Sequence, residues 1–226
     1  MLTQHTKVKQ LDVFSKKSSS NNDILLNELS VKITINNRVY EFDVISQFLE
    51  FLIQGILFRK HDSLVPVEIN NSVPGIYDVS LTEKPAFKKT LLSISDLNIQ
   101  PAMLIDWVRQ FKSSQPLYKQ TGATLTIGAL LEGNQLFCVE CLTLESAFTK
   151  LIGGIIKKGI PYYPIFFLSH RLTKADIKII NEFNPEMVIC QSALTSNAVT
   201  MLIESNITAF GFCRKNKFNR YSNFHI

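Results

Sequence analysis

Cysteine, histidine and glycine are all scarce: the 226-residue chain has four Cys, four His and nine Gly. So few cysteines exclude a disulfide-stapled scaffold and point to free thiols. The glycines nowhere take the spacing of a dinucleotide or nucleoside-triphosphate loop, which removes both of those designs. No Ser, His and Asp fall in the order of a hydrolytic triad, and the His-x-Glu with Cys-x-x-Cys signature of the zinc deaminases is missing. Long apolar runs are absent as well. None approaches the roughly eighteen residues that a membrane helix needs, and the N-terminus lacks the hydrophobic core of a signal peptide. A cytoplasmic protein without a membrane span is expected. The net charge of +5 favours anionic partners without by itself arguing for nucleic acid, and no nucleic-acid partner is expected.

What is present divides the chain into three. Residues 1–23 are rich in Lys, Ser, Gln and Asn and read as a flexible leader. A small β-rich domain is expected over 24–113 and an α/β domain over 114–226. Glu28 to Phe42 alternates, with Leu29, Val31, Ile33 and Ile35 on one face and Asn36-Asn37 as a tight turn, which predicts a β-hairpin. Val44 to Phe58 carries Ile45, Phe48, Leu49, Leu52, Ile53 and Ile56 at helical spacing. Strands are predicted at Leu64 to Ile69 and Ile76 to Leu81, and a helix over Ala102 to Lys112. Beyond Thr121 a hairpin turning at Glu132-Gly133-Asn134 gives way to alternating helices and strands. That is the pattern of an α/β sandwich with a mainly parallel sheet.

The C-terminal stretch says most about function. Thr195 is a good N-cap for a helix carrying Ala198, Val199, Met201, Leu202 and Ile203. Ile207 to Phe212 is β-branched and aromatic and fits a buried parallel strand. Arg214, Lys215, Lys217 and Arg220 then set four cations just past its carboxyl end, the edge where open α/β sheets bind ligands. An anionic ligand is the natural candidate.

The runs Ser192-Ala193-Leu194-Thr195-Ser196-Asn197-Ala198 and Asn206-Ile207-Thr208-Ala209-Phe210-Gly211-Phe212-Cys213-Arg214, with Tyr221 after them, resemble the C-terminal motifs of the formate dehydrogenase accessory protein (FdhD) family. Thr121-Gly122-Ala123-Thr124, the frame Ala147, Lys150, Leu151, Ile152 and Gly153, and Ser169 with Arg171 extend the likeness upstream. The resemblance implies a cytidine deaminase-like α/β/α sandwich with a smaller N-terminal β-rich domain. It implies a sulfur carrier that passes sulfur from a cysteine desulfurase to the molybdenum bis(guanine dinucleotide) cofactor of formate dehydrogenase. A homodimer is implied too, with the desulfurase and the formate dehydrogenase catalytic subunit as partners. Phe212, Cys213, Arg214, Lys215, Asn216 and Lys217 match the loop through which the family holds that cofactor. They are therefore the expected binding residues for a molybdopterin guanine dinucleotide or related guanine nucleotide, bound rather than used catalytically.

The chain also departs from the family. Between Thr82 and Ser95, where the family carries a C-G-x-C-G pair, stands the shorter, cysteine-free Glu83-Lys84-Pro85-Ala86-Phe87-Lys88-Lys89-Thr90. A persulfide needs a thiolate to accept the sulfur, so transfer chemistry is in question and no catalytic residue is assigned. A family aspartate, arginine and histidine have become Cys141, Leu144 and Glu145, and a second histidine has become Leu125. Cys138-Val139-Glu140-Cys141 is a C-x-x-C, but residues three apart on a strand face opposite ways, so these read as ordinary strand cysteines and no metal ligand is assigned. His170 stands where the family has glycine, and either contacts a phosphate or obstructs the pocket. Lys84, Lys88 and Lys89 are a solvated loop or a contact for an acidic partner. Two functions follow: a sulfur carrier in cofactor maturation, or an inactive paralogue that binds cofactor or partner.

Overall fold

The computed structural model describes residues 1–11, 15, 18–61, 67–73, 75–81, 91–214 and 217–222. Strands β1 (Thr3–Leu11) and β2 (Ser18–Leu26) pair as an antiparallel ribbon rather than forming the flexible leader that composition predicts. A ladder of backbone bonds needs no apolar side chains, which is why polarity gave no sign of it. Next, β3 (Leu29–Ile35) and β4 (Arg38–Val44) form the predicted hairpin. Its turn uses Asn36 and Asn37 with φ of 49° and 62°, the left-handed pair that a two-residue turn requires and asparagine tolerates. Helix α1 (Leu49–His61) follows, then β5 (Val67–Val73) and β6 (Ile76–Leu81). The four strands form one sheet in the order β4-β3-β6-β5. Val31, Ile33, Ile35 and Val44 on one of its faces pack against Leu52, Ile53, Ile56 and Leu57 of α1. Lys84, Lys88 and Lys89 lie outside the described residues.

The remaining elements are α2 (Pro101–Ser113), α3 (Pro116–Thr121), β7 (Leu125–Leu131), β8 (Leu136–Cys141), α4 (Leu144–Lys158), β9 (Tyr162–Leu168), α5 (Lys174–Asn181), β10 (Met187–Cys190), α6 (Ser196–Glu204), β11 (Thr208–Arg214) and β12 (Lys217–Arg220). They build a six-stranded sheet in the order β12-β11-β10-β9-β7-β8, with β9, β10 and β11 parallel. Helices α4, α5 and α6 cover one face, where Phe148, Leu151, Ile177 and Leu202 meet Ile127, Phe166, Val188 and Ala209. Helix α2 covers the other, setting Leu104, Trp107, Val108 and Phe111 against Leu130, Phe167, Ile189 and Phe210. The result is an α/β/α sandwich. It also moves α2 out of the small domain, because its apolar stripe belongs to the large sheet's second face. The sequence shows that the stripe exists but not which surface it covers.

The two sheets are joined where α1 crosses α4. A Cβ on Gly153 would lie 1.8 Å from the Phe51 carbonyl oxygen, and one on Gly55 would lie 1.9 Å from that of Thr149. Only glycine permits so close a backbone approach. Beside it Lys150, 1% exposed, donates from Nζ to the carbonyl oxygens of Ile45 (2.8 Å) and Gln47 (2.7 Å). Burial lowers its pKa, with the Cys141 thiol and Glu50 acting to raise it again. Arg59 of α1 donates to Thr149 Oγ1 at 2.7 Å and to Glu182 Oε2 at 2.6 Å.

Gly153→Ala is expected to push the helices apart and to cost about 3 kcal/mol, the upper range for overpacking. Urea denaturation of the variant against the wild type measures this, and an unchanged midpoint would mean that the crossing is looser than described.

Candidate functional site

The carboxyl ends of β9, β10 and β11 lie side by side, and the turns that follow them are tied together. Leu172 N donates to Ala193 O at 3.0 Å and Thr195 N to Leu172 O at 3.0 Å. The first turn ends in Thr173, which with Asp176 forms a complete capping box at the start of α5. The second ends in Thr195, whose side chain accepts from Ala198 N at the start of α6, the cap that the sequence predicts. The third edge, at the end of β11, is different. Phe212 has φ of 50°, is 41% exposed, and donates its backbone N–H to Ser192 O at 3.0 Å. This left-handed residue forms a bulge between Gly211 and Arg214 against β12, a device common beside functional sites. Gly211 makes the bulge possible: a Cβ there would meet Leu194 Cδ1 at 2.4 Å and Tyr221 Cε2 at 2.9 Å.

The expected binding residues therefore divide. Phe212 and Arg214 are exposed at the edge, and Lys217 is exposed on β12, in register with Arg214. Cys213 turns inward and is 2% exposed, so its thiol does not face the edge. Lys215 and Asn216 lie outside the described residues. The cations occupy a hairpin rather than an open loop, because Phe218 packs edge-on to Phe210 (5.5 Å between centroids) and draws the chain back as β12. Arg214 Nε donates to the Gln191 carbonyl oxygen at 3.4 Å, and the exposed Arg171 and Lys174 follow β9 on the same edge.

One feature of this edge escaped the sequence. Strand register sets Glu140 of β8 opposite Thr126, with Ser169 and Gln191 at the matching level of the next two strands. All four alternate onto the face that α2 covers, so a polar row closes an otherwise apolar surface. Glu140 accepts from Leu117 N (2.9 Å), Tyr118 N (2.7 Å) and Thr124 Oγ1 (3.1 Å), anchoring α3. Ser169 Oγ accepts from Thr126 N at 2.8 Å, and Gln115 Nε2 donates to Gln191 Oε1 at 3.0 Å. Among the described residues, Thr126 Oγ1 and Gln191 Nε2 are buried with no hydrogen-bond partner. A polar residue near a strand end is an ordinary sight in a sequence, and only sheet order makes these four neighbours.

His170 is on the opposite face. Its Nε2 is 3.9 Å from Asp176 Oδ1, an ion-pair distance too long for a hydrogen bond, and both ring nitrogens are buried without partners. Burial alone would raise the Asp176 carboxyl, but the bonds from Thr173 and the nearby His170 ring more than offset it and hold the pKa below the ordinary value. The ring sits behind the edge.

The thiols are all withdrawn. Cys138 faces the α2 side and Cys141 the α4 side of β8, opposite ways as expected. Desolvation pushes Cys138, Cys190 and Cys213 up to about 12 and raises Cys141 as well. Protonated thiols in apolar surroundings are poor sulfur acceptors.

A family model described as FdhD/NarQ matches residues 67–225. The chain belongs to the FdhD/NarQ family. It is 24% identical over 208 residues to the sulfur carrier protein FdhD of Shewanella oneidensis, covering 87% of this chain and 75% of that one. It is 27% identical over 132 residues to the sulfur carrier protein FdhD of Staphylococcus haemolyticus, covering 58% of this chain and only 50% of that relative. A crystal structure described as a formate dehydrogenase accessory protein, from Desulfotalea psychrophila, superposes with a TM-score of 0.75 at 18% identity, covering 99% of this chain and 98% of that chain.

The geometry explains what this FdhD/NarQ chain keeps. Ala147, Lys150 and Gly153 hold α4 against the sheet and against α1, so the family frame survives as packing. At the substituted positions Cys141 and Leu144 are core, 0% and 6% exposed, and Glu145 Oε1 pairs with Arg59 at 3.4 Å. Groups expected to face a ligand have become parts of the scaffold.

Raised thiol pKa values fix a pH dependence. The folded chain keeps these protons while the unfolded chain releases them above about 9, so their contribution is complete below about 9 and is lost as pH rises toward 12. Chemical denaturation should show stability flat from about pH 8 to about pH 9 and falling from there to about pH 11, and native thiols should resist alkylation at about pH 8 while unfolded ones react. Fast alkylation of the native protein would contradict the burial.

Proposed function

We propose that the chain is a binding member of the family, one that holds a guanine nucleotide group at the carboxyl edge of β9, β10 and β11 and does not carry sulfur on its own thiols. The observation that carries this reading is the contrast at one end of β11. The Cys213 thiol is buried, while Phe212, Arg214 and Lys217 around it stand exposed. With Arg171 and Lys174 they give an anion several cations on one rim, and Phe212 offers an aromatic face beside them. These residues fit the phosphates and the base of a molybdopterin guanine dinucleotide, which would be cargo here. The cysteine-free segment Glu83 to Thr90 supports the same division between binding and transfer. In this reading the chain serves maturation of the molybdenum cofactor of formate dehydrogenase in the cytoplasm by presenting or storing cofactor. The dehydrogenase catalytic subunit, a cysteine desulfurase and a second copy of the chain are its candidate partners.

Calorimetric titration with GDP should give saturable heat. Arg214→Ala and Lys217→Ala should each weaken binding by roughly ten- to a hundredfold, as a charge-assisted contact implies. Incubation with a cysteine desulfurase and cysteine, followed by mass spectrometry, should leave the chain without a bound sulfur atom. No heat in the wild type would end the binding reading, and a persulfide on any of the four cysteines would restore the carrier reading.

A further inference from the structure

The β1-β2 ribbon sorts its charge by face. Cross-strand register sets His5, Lys7 and Lys9 on one side, opposite Ile24, Asn22 and Ser20, and no carboxylate joins them there. Asp23, the one carboxylate in either strand, pairs with Thr6 on the other side. His5, Lys7 and Lys9 are all exposed. A two-stranded ribbon without further covering is marginal in water. This one borders α3 through β2, and its basic face stays open.

The four-stranded sheet offers the complementary surface. Helix α1 covers one of its faces; the other carries Glu41 and Asp43 of β4 and Asp78 of β6, all exposed. Val39, Val73 and Ile76 add exposed apolar surface on the same side. Among the described residues of that face a single cation, Lys32, offsets the carboxylates, and it lies 3.8 Å from Glu41. Ser30, Lys32, Glu41, Asp43, Gly75 and Ile76 line a groove there of about 470 Å³. Alternate residues of a strand recur at about 6.8 Å, so Lys7 and Lys9 share the repeat of Glu41 and Asp43.

Only Asn27 and Glu28 link the ribbon to β3, and Asn27 is pinned. Its N donates to Leu2 O at 2.8 Å and its Nδ2 to Met1 O at 3.1 Å. Turning the ribbon back onto its own sheet would cost those bonds, whereas a second copy is reached with them intact. We propose that the ribbon is an arm exchanged between two copies of this chain, the basic face of each lying on the acidic outer face of the other's four-stranded sheet. A two-fold axis makes the contact reciprocal. Each strand of the ribbon has nine residues, which gives a face about 30 Å long and about 10 Å wide. Two such arms and the sheet they cover bury about 1,200 Å², enough for a specific interface. The arm gives a surface to the second copy already among the candidate partners and does not rest on the nucleotide site, so GDP titration and the test of the arm fail independently.

Sedimentation velocity of the full chain should show a dimer in about 0.05 M salt that weakens in about 0.5 M, where exposed charges are screened. Lys7→Glu with Lys9→Glu in one variant, and Glu41→Lys with Asp78→Lys in another, should each raise the dimer dissociation constant by roughly a hundredfold or more, because like charges then face each other. All four positions are exposed, and an unchanged far-ultraviolet circular dichroism spectrum checks that each variant folds. Mixing the two variants should restore a dimer, since in the mixed pair both contacts again join opposite charges. A monomeric wild type would overturn the arm. A dimer kept by either variant would do the same, because another surface then holds it. Variants that stay monomeric after mixing would also sink it.

Discussion

The close approach of α1 and α4 is the constraint on which the rest depends. Two glycines let the backbones approach to a distance that no side chain would allow. The Lys150 ammonium, buried with them, is held by two carbonyl oxygens of the loop leading into α1. A buried charge is costly unless it is bonded, so the lysine also enforces the position of that loop. Through this joint the four-stranded sheet is fixed to the α4 side of the six-stranded one. The site edge at the far ends of β9 to β11 then inherits a rigid base.

That edge separates two kinds of chemistry often found together in one site. Cations and an exposed aromatic remain at the rim, whereas each thiol is packed where the protonated form is favoured. Substitution followed the same division. Cys141 and Leu144 extend the apolar core under α4, and Glu145 is drawn into an ion pair with the nearly buried Arg59. The polar row across β8, β7, β9 and β10 is the exception to apolar packing on its face.

Much of the fold was legible. The Asn36-Asn37 turn, the cap at Thr195 and the alternation over β3 and β4 are local signals, set by backbone sterics and hydrogen bonds within a few residues. The ribbon of β1 and β2 was not legible, because its polar side chains carry no burial pattern. Nor was the ownership of α2. At the candidate site the sequence set Phe212, Arg214 and Lys217 after the last long strand, and the structure leaves them exposed there, while the Cys213 thiol turns inward because the bulge at Phe212 shifts the alternation by one.

The sequence by itself determined most of the elements beyond the first ribbon, the absence of cysteine between Thr82 and Ser95 and the concentration of cations after the last long strand, since each is a property of residue type and short-range spacing. Only the tertiary structure decided which strands adjoin. Glu140, Thr126, Ser169 and Gln191 are far apart in the chain, and they become one row because hydrogen-bond register across the sheet brings their levels together. The bond between the Gln115 and Gln191 amides arises in the same way, joining residues 76 positions apart.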